Sequence, residues 1–108
     1  MRPDALRGHL DALILAALEP GPLHGYAVME VLTRASGGAL DLPTGTLYPA
    51  LRRLERAGHI RGEWSTVSGR ERRTYRLTAA GRRALAAERD HWRDFASVIE
   101  RVLRPASG

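Results

Sequence analysis

Six arginines, Arg52, Arg53, Arg56, Arg70, Arg72 and Arg73, gather in one short stretch of the chain. A guanidinium is planar, permanently charged and forked, which suits phosphate oxygens and the edges of bases. The surrounding window carries the same sign. Residues 52–83 hold ten arginines against Glu55, Glu63 and Glu71, a net +7, while the remainder holds seven arginines and nine acids, a net −2. The overall charge of +5 is therefore one localised basic segment, as a nucleic-acid contact requires. Lysine is absent, which a GC-rich coding sequence explains without any functional cause.

Other chemistry is sparse. There is no glycine-rich phosphate loop, nucleophile elbow or paired-carboxylate arrangement, and Ser65 and Ser68 have no positioned base. We therefore expect no enzyme, no cofactor and no resident metal. His91 and Asp94, three apart on a predicted helix, are the nearest approach to a metal-ligand pair, and a second copy would have to complete it. The lack of cysteine removes disulfides, thiol redox sensing and cysteine metal sites together. No apolar run approaches a membrane span, and Arg2, Asp4 and Arg7 interrupt the N-terminus, so a cytoplasmic protein without a signal peptide is expected. The length of 108 residues suits one small domain whose modest core would gain from oligomerisation.

The arginines need elements to hold them. Leu47, Leu51 and Leu54 recur at helical spacing and predict a buried face on a helix that ends at Gly58. Gly45, Pro49, Arg52 and Arg56 fall on the opposite side, with Tyr48 and Arg53 on the flanks. Thr46 is expected as the N-cap, which would put Pro49 in the first turn, where its missing N–H is harmless. Two helices precede this one. The first is expected over Asp4 to Leu18, with an apolar stripe through Leu6, Leu10, Leu13, Ile14, Ala17 and Leu18. The second is expected over Gly25 to Ala35, ended by Gly37-Gly38, with His24 serving its start. Leu40-Asp41-Leu42 alternates and is read as a possible minor strand.

After Gly58, Ile60, Gly62 and Trp64 alternate with polar residues, and Tyr75 and Leu77 alternate on a return strand, with Ser68-Gly69 as the turn. Trp64 is read as strand core. The hairpin carries Arg70 at its tip, with Arg72 and Arg73 behind. Three helices followed by a hairpin make a winged helix-turn-helix, mainly α with a small β-hairpin wing. Thr78 is the expected cap of a last helix of about 25 residues. Leu85, Trp92 and Ile99 repeat every seven residues, as do Phe95 and Val102, which is a coiled-coil-like seam. So small a domain cannot cover that seam alone, and a second copy is the simplest cover. The organisation expected is a DNA-binding unit over residues 1–77, a C-terminal dimerisation helix over 78–104 in the same compact unit, and a tail over 105–108.

The run from Gly45 to Leu51, followed by Arg52-Arg53-Leu54-Glu55 and Gly58, resembles the signature of the PadR family of bacterial transcriptional regulators. Leu13 to Leu18 and His24-Gly25-Tyr26 resemble that family's first helix and the start of its second. Arg72 to Gly81 resembles its second wing strand and the beginning of its last helix. The resemblance spans nearly the whole chain. It implies a homodimeric, ligand-responsive repressor that binds double-stranded DNA, with Thr46, Tyr48 and Arg52 near the duplex. It also implies a small planar aromatic effector held against Trp92, since some members bind flat aromatics on a tryptophan of this helix.

Together these readings give a candidate DNA-binding set of Thr44, Thr46, Tyr48, Pro49, Arg52, Arg53, Arg56, Arg70, Arg72 and Arg73. The candidate ligand set is Trp92, Phe95, Leu10 and Ile14. The candidate dimer interface is Leu6, Leu10, Leu13, Leu85, Trp92, Phe95, Ile99 and Val102. Two rival readings remain: a metal-responsive winged-helix repressor, and a winged-helix protein-interaction module that does not bind DNA.

Overall fold

The computed structural model describes residues 9–106. In chain order these form α1 (Leu10–Leu18), β1 (Leu23–His24), α2 (Gly25–Ala35), α3 (Thr44–Arg56), β2 (Ile60–Val67), β3 (Arg70–Leu77) and α4 (Ala79–Leu103). The expected start of the first helix at Asp4, and the interface candidate Leu6, lie outside the described residues.

The first three helices converge on one apolar core. Ile14 and Leu18 of α1, Val28 of α2, and Leu47 and Leu51 of α3 are fully enclosed. Ile60, Tyr75 and Leu77 close the core from the sheet, and Leu85 closes it from α4. Capping chemistry sets the helix limits. The His24 ring nitrogen Nδ1 accepts from the Ala27 N–H at 3.2 Å, so α2 begins where the sequence placed it. It ends at Gly37 and Gly38, both at positive φ, with the Gly38 N–H donated back to the Thr33 carbonyl at 2.8 Å.

The start of α3 departs from expectation. The Pro43 carbonyl accepts from Thr46 and Leu47, so Pro43 and not Thr46 is the N-cap. Pro49 consequently lies inside the helix and deprives the Gly45 carbonyl of its intrahelical donor. Gly45 is on the exposed side, where water can supply a replacement. Gly58, at φ 77°, ends the helix as expected.

The sheet order is β1-β3-β2, all antiparallel. β2 and β3 pair from Ile60↔Leu77 to Val67↔Arg70 around Ser68-Gly69, both at positive φ, as a two-residue hairpin turn demands. The third strand is Leu23-His24, paired with Tyr75 and Thr74, and not Leu40-Asp41-Leu42. The β3 edge is already occupied, and Leu40 reaches the core from a loop in which its N–H donates to Ser36 Oγ at 2.9 Å.

Thr78 and Gly81 aim α4. The Thr78 hydroxyl accepts from the Gly81 N–H at 3.0 Å and donates to the Gly58 carbonyl at 2.6 Å. Any Cβ at Gly81 would stand 1.9 Å from the His59 carbonyl oxygen, so only glycine lets the helix press this closely on the α3–β2 turn. Beyond Leu85, α4 leaves the core. Its distal half gives the molecule a long axis of 67 Å. No helix among the described residues is long and apolar enough to cross a membrane.

Candidate nucleic-acid interface

The amphipathic division of α3 produces the candidate surface. With Leu47, Ala50, Leu51 and Leu54 buried, Thr44, Gly45, Pro49, Arg52 and Arg56 are turned to solvent. Thr46 is half-buried. Tyr48 lies across the start of α2. A Cβ on Gly25 would come within 2.8 Å of the Tyr48 ring, so the glycine of the His24-Gly25-Tyr26 run makes room for it. One edge of Tyr48 remains exposed beside the arginine face.

The wing projects next to α3. Strand alternation turns Arg70 and Arg72 to one face of β3, and Arg73, Tyr75 and Leu77 to the other. Tyr75 and Leu77 root the hairpin in the core, and burial pushes the Tyr75 phenol above its ordinary pKa. Trp64 was expected in the strand core but is 66% exposed. It stands past the end of the domain, opposite Arg73, whose guanidinium lies 5.3 Å from the centre of its ring.

The six arginines separate into two groups. Arg52, Arg56, Arg70 and Arg72 are exposed and form no ion pair among the described residues. Arg53 instead donates from Nε and Nη2 to the two carboxylate oxygens of Asp11 on α1. Arg73 donates from Nη2 to Glu55 Oε2 at 2.8 Å and from Nε to Oε1 at 3.4 Å. The Glu55 hydrogen bond raises the Arg73 pKa above its ordinary value, and the Asp11 bond does the same for Arg53. Nothing in the local pattern around either arginine marks its partner, which comes from a different element in each case.

A second feature lies between α1 and α4. An open groove of about 900 Å³ is lined by Leu13 and Ala16 from α1 and by Trp92, Phe95 and Ala96 from α4. Trp92 packs tilted against Phe95 at 5.5 Å between ring centres and edge-on to His9 at 5.4 Å. Arg89 borders the groove while forming a bidentate pair with Glu19, at 2.7 and 2.8 Å.

The structure corrects two groove assignments. Leu10 and Ile14 are 3% and 0% exposed, so neither can line the groove, and Leu10 is not available to a dimer surface. Both face the core of their own protomer; the groove is lined by Ala12, Leu13 and Ala16 of α1 and by His9 just before it. Leu85 is likewise largely spent on the protomer core, with only a margin on the groove. Trp92, Phe95, Ile99 and Val102 are exposed along α4, and Val98 and Leu103 extend their stripe. Among the described residues no group of three or more His, Cys, Asp or Glu gathers, and none of them joins His91 and Asp94 as a further ligand.

Residues 14–87 match the PadR-like transcriptional regulator family. A transcriptional regulator of Mycobacterium tuberculosis is 56% identical over 67 residues, covering 62% of this chain and 60% of that protein. The fold is similar to a transcriptional regulator from Clostridium thermocellum, with a TM-score of 0.87 at 26% identity over 96% of this chain and 99% of the other. It is also similar to Bacillus subtilis PadR in complex with operator DNA, with a TM-score of 0.68 at 26% identity over 73% of this chain and 45% of that one. The family match takes in the first helix from Ile14 onward, the arginine-bearing helix, the wing and the root of α4, and on that ground this chain belongs to the PadR-like family of transcriptional regulators.

Proposed function

We propose that this regulator acts as a homodimer that binds duplex DNA through α3 and the wing, and that a planar aromatic ligand in the α1–α4 groove releases it. The observation that carries the reading is the grouping of Arg52, Arg56, Arg70 and Arg72, exposed and without carboxylate partners among the described residues, on adjoining elements. The operator-bound relative supports it. Arg52 lies on the outward side of α3 and is the reader of base edges. Arg70 and Arg72 hold phosphate or the minor-groove rim. Paired through the distal part of α4, two such surfaces would meet successive major grooves about 34 Å apart. A ligand between the protomers changes DNA affinity only by as much as it prefers one spacing over another.

The test is titration of a labelled duplex against salt. Wild-type protein should show a steep log–log slope, with Arg70→Ala and Arg72→Ala each lowering it by about one unit. Arg52→Ala should cost about 1–3 kcal/mol on a preferred site and relax sequence preference there. Equal binding by all three variants sinks the assignment of α3 and the wing. For the effector, flat aromatic compounds should quench Trp92 emission in a Trp64→Phe background. Quenching that persists in Trp92→Phe and disappears in Trp64→Phe moves the ligand to the wing.

A further inference from the structure

Resting on the DNA-binding reading above, we propose that the Glu55–Arg73 pair sets the angle between the wing and α3, so that Arg73 is a positioning residue and not a phosphate contact. The hairpin is a lever with a short root. Past Arg73 and Gly62 toward the tip its side chains turn to solvent, and Trp64 and Val67 are both exposed. Something must hold the lever if Arg70 and Arg72, near its tip, are to meet a duplex at the same time as Arg52 on α3.

The Arg73 fork is built for that task. Its two donors run to the two oxygens of Glu55, and a bidentate carboxylate pair fixes direction as well as distance. Both partners are less than one-third exposed, at 30% and 24%. The guanidinium rests on Gly62 of the neighbouring strand, where a Cβ would stand 2.7 Å from its Nε. The rings of Trp64 and Tyr75 flank it, with centres 5.3 and 6.0 Å away. A phosphate reaching Arg73 would have to displace Glu55 from this enclosure. Arg70 and Arg72, on the other face of the strand, have no such enclosure. Glu55 itself sits one residue from Arg56 and two from Arg53, which Asp11 holds from the α1 side, so the C-terminal half of α3 is tied to elements on two sides.

The two roles make opposite claims about Glu55→Gln. This change removes a negative charge near DNA and frees Arg73. If Arg73 is a phosphate contact restrained by Glu55, the variant binds duplex more tightly. If the pair positions the wing, the variant binds about tenfold more weakly and its salt slope falls, because Arg70 and Arg72 lose their places. The positioning role also requires non-additivity. Glu55→Gln added to Arg70→Ala/Arg72→Ala should cost nothing further, since the groups it positions are already gone.

The measurement is affinity of a labelled mixed-sequence duplex across a salt series for wild type, Glu55→Gln, the double alanine variant and the triple variant. Thermal unfolding of each confirms a retained fold. Binding by Glu55→Gln as tight as wild type or tighter, or losses that multiply in the triple variant, overturns the proposal. Trp64 gives a reading independent of DNA. In a Trp92→Phe background, Glu55→Gln should shift Trp64 emission and its quenching by acrylamide. Unchanged emission and quenching overturn the positioning role even if no protein in the set binds DNA. Absence of binding by wild type, with the Trp64 change present, faults the DNA-binding reading and not the clamp.

Discussion

Leu85 and Phe95 belong to the same helix and to the same apolar stripe, yet Leu85 is 3% exposed and Phe95 is 54% exposed. The proximal part of α4 is fixed by Thr78, Gly81 and Leu85 against the core that α1, α2, α3 and the wing root already share. The distal part carries Trp92, Phe95, Ile99 and Val102 on its surface, where the described residues leave them largely exposed. A lone protomer has closed one core and left a second half-built. An exposed stripe of this size marks an interaction surface. The seven-residue repeat of the stripe favours another helix of the same kind as its cover.

The contrast can be broken at either end. The largest effect is expected from Phe95→Glu with Ile99→Glu. Sedimentation should show self-association weakened by roughly a hundredfold or more, while circular dichroism reports the winged domain still folded. Dimers that survive the double change would remove the distal stripe from the interface. The next effect is Leu51→Ala in the closed core, which should cost about 2–5 kcal/mol in denaturant unfolding. That loss should be the same at every protein concentration, whereas in the proposed dimer the loss from Phe95→Ala should vary with concentration, because a second chain would cover Phe95 there. Matching concentration dependence in the two variants would erase the distinction between the closed core and the exposed stripe.

The smallest effect concerns the tie between the two regions. Hydrogen bonding from Arg89, followed by its charge and that of Arg82, holds the Glu19 carboxyl below its usual range against an opposing desolvation. A carboxyl depressed in this way contributes stability above its unfolded pKa and loses the contribution as pH falls through its lower folded value. Comparison of wild type with Glu19→Gln should therefore show a slight loss of stability at neutral pH. That difference should fade in acid and in high salt, because both groups are solvent-exposed and screened. A difference that persists in acid would show that Glu19 acts by packing and not by charge.

Much of the scaffold could be read from short-range rules. The helix from Gly25 to Ala35 came out with its bounds intact because its signals are local: a capping His24 and a Gly37-Gly38 stop. The leucines of α3, the Ser68-Gly69 turn and the Thr78 cap followed for the same reason. The start of α3 did not, because a threonine at position 46 is as good a cap by type as the actual geometry at Pro43. Trp64 was misplaced because strand alternation names the face a residue shares and not how far the domain extends beneath that face.

Charge and periodicity in the amino-acid order were enough to bring the arginines onto one helix and one hairpin and to leave a stripe on α4 without a cover. Which arginines stay free was settled by folding. Asp11 lies 42 positions from Arg53, Glu55 lies 18 from Arg73, and Glu19 lies 70 from Arg89. The same holds for α1, where packing sends Leu10 and Ile14 inward and leaves Leu13 and Ala16 to the groove. Helical and strand periodicities arise from neighbouring backbone bonds, so they are written locally. Ion pairs and groove walls depend on how whole elements lie across one another, and that geometry exists only once the core has closed.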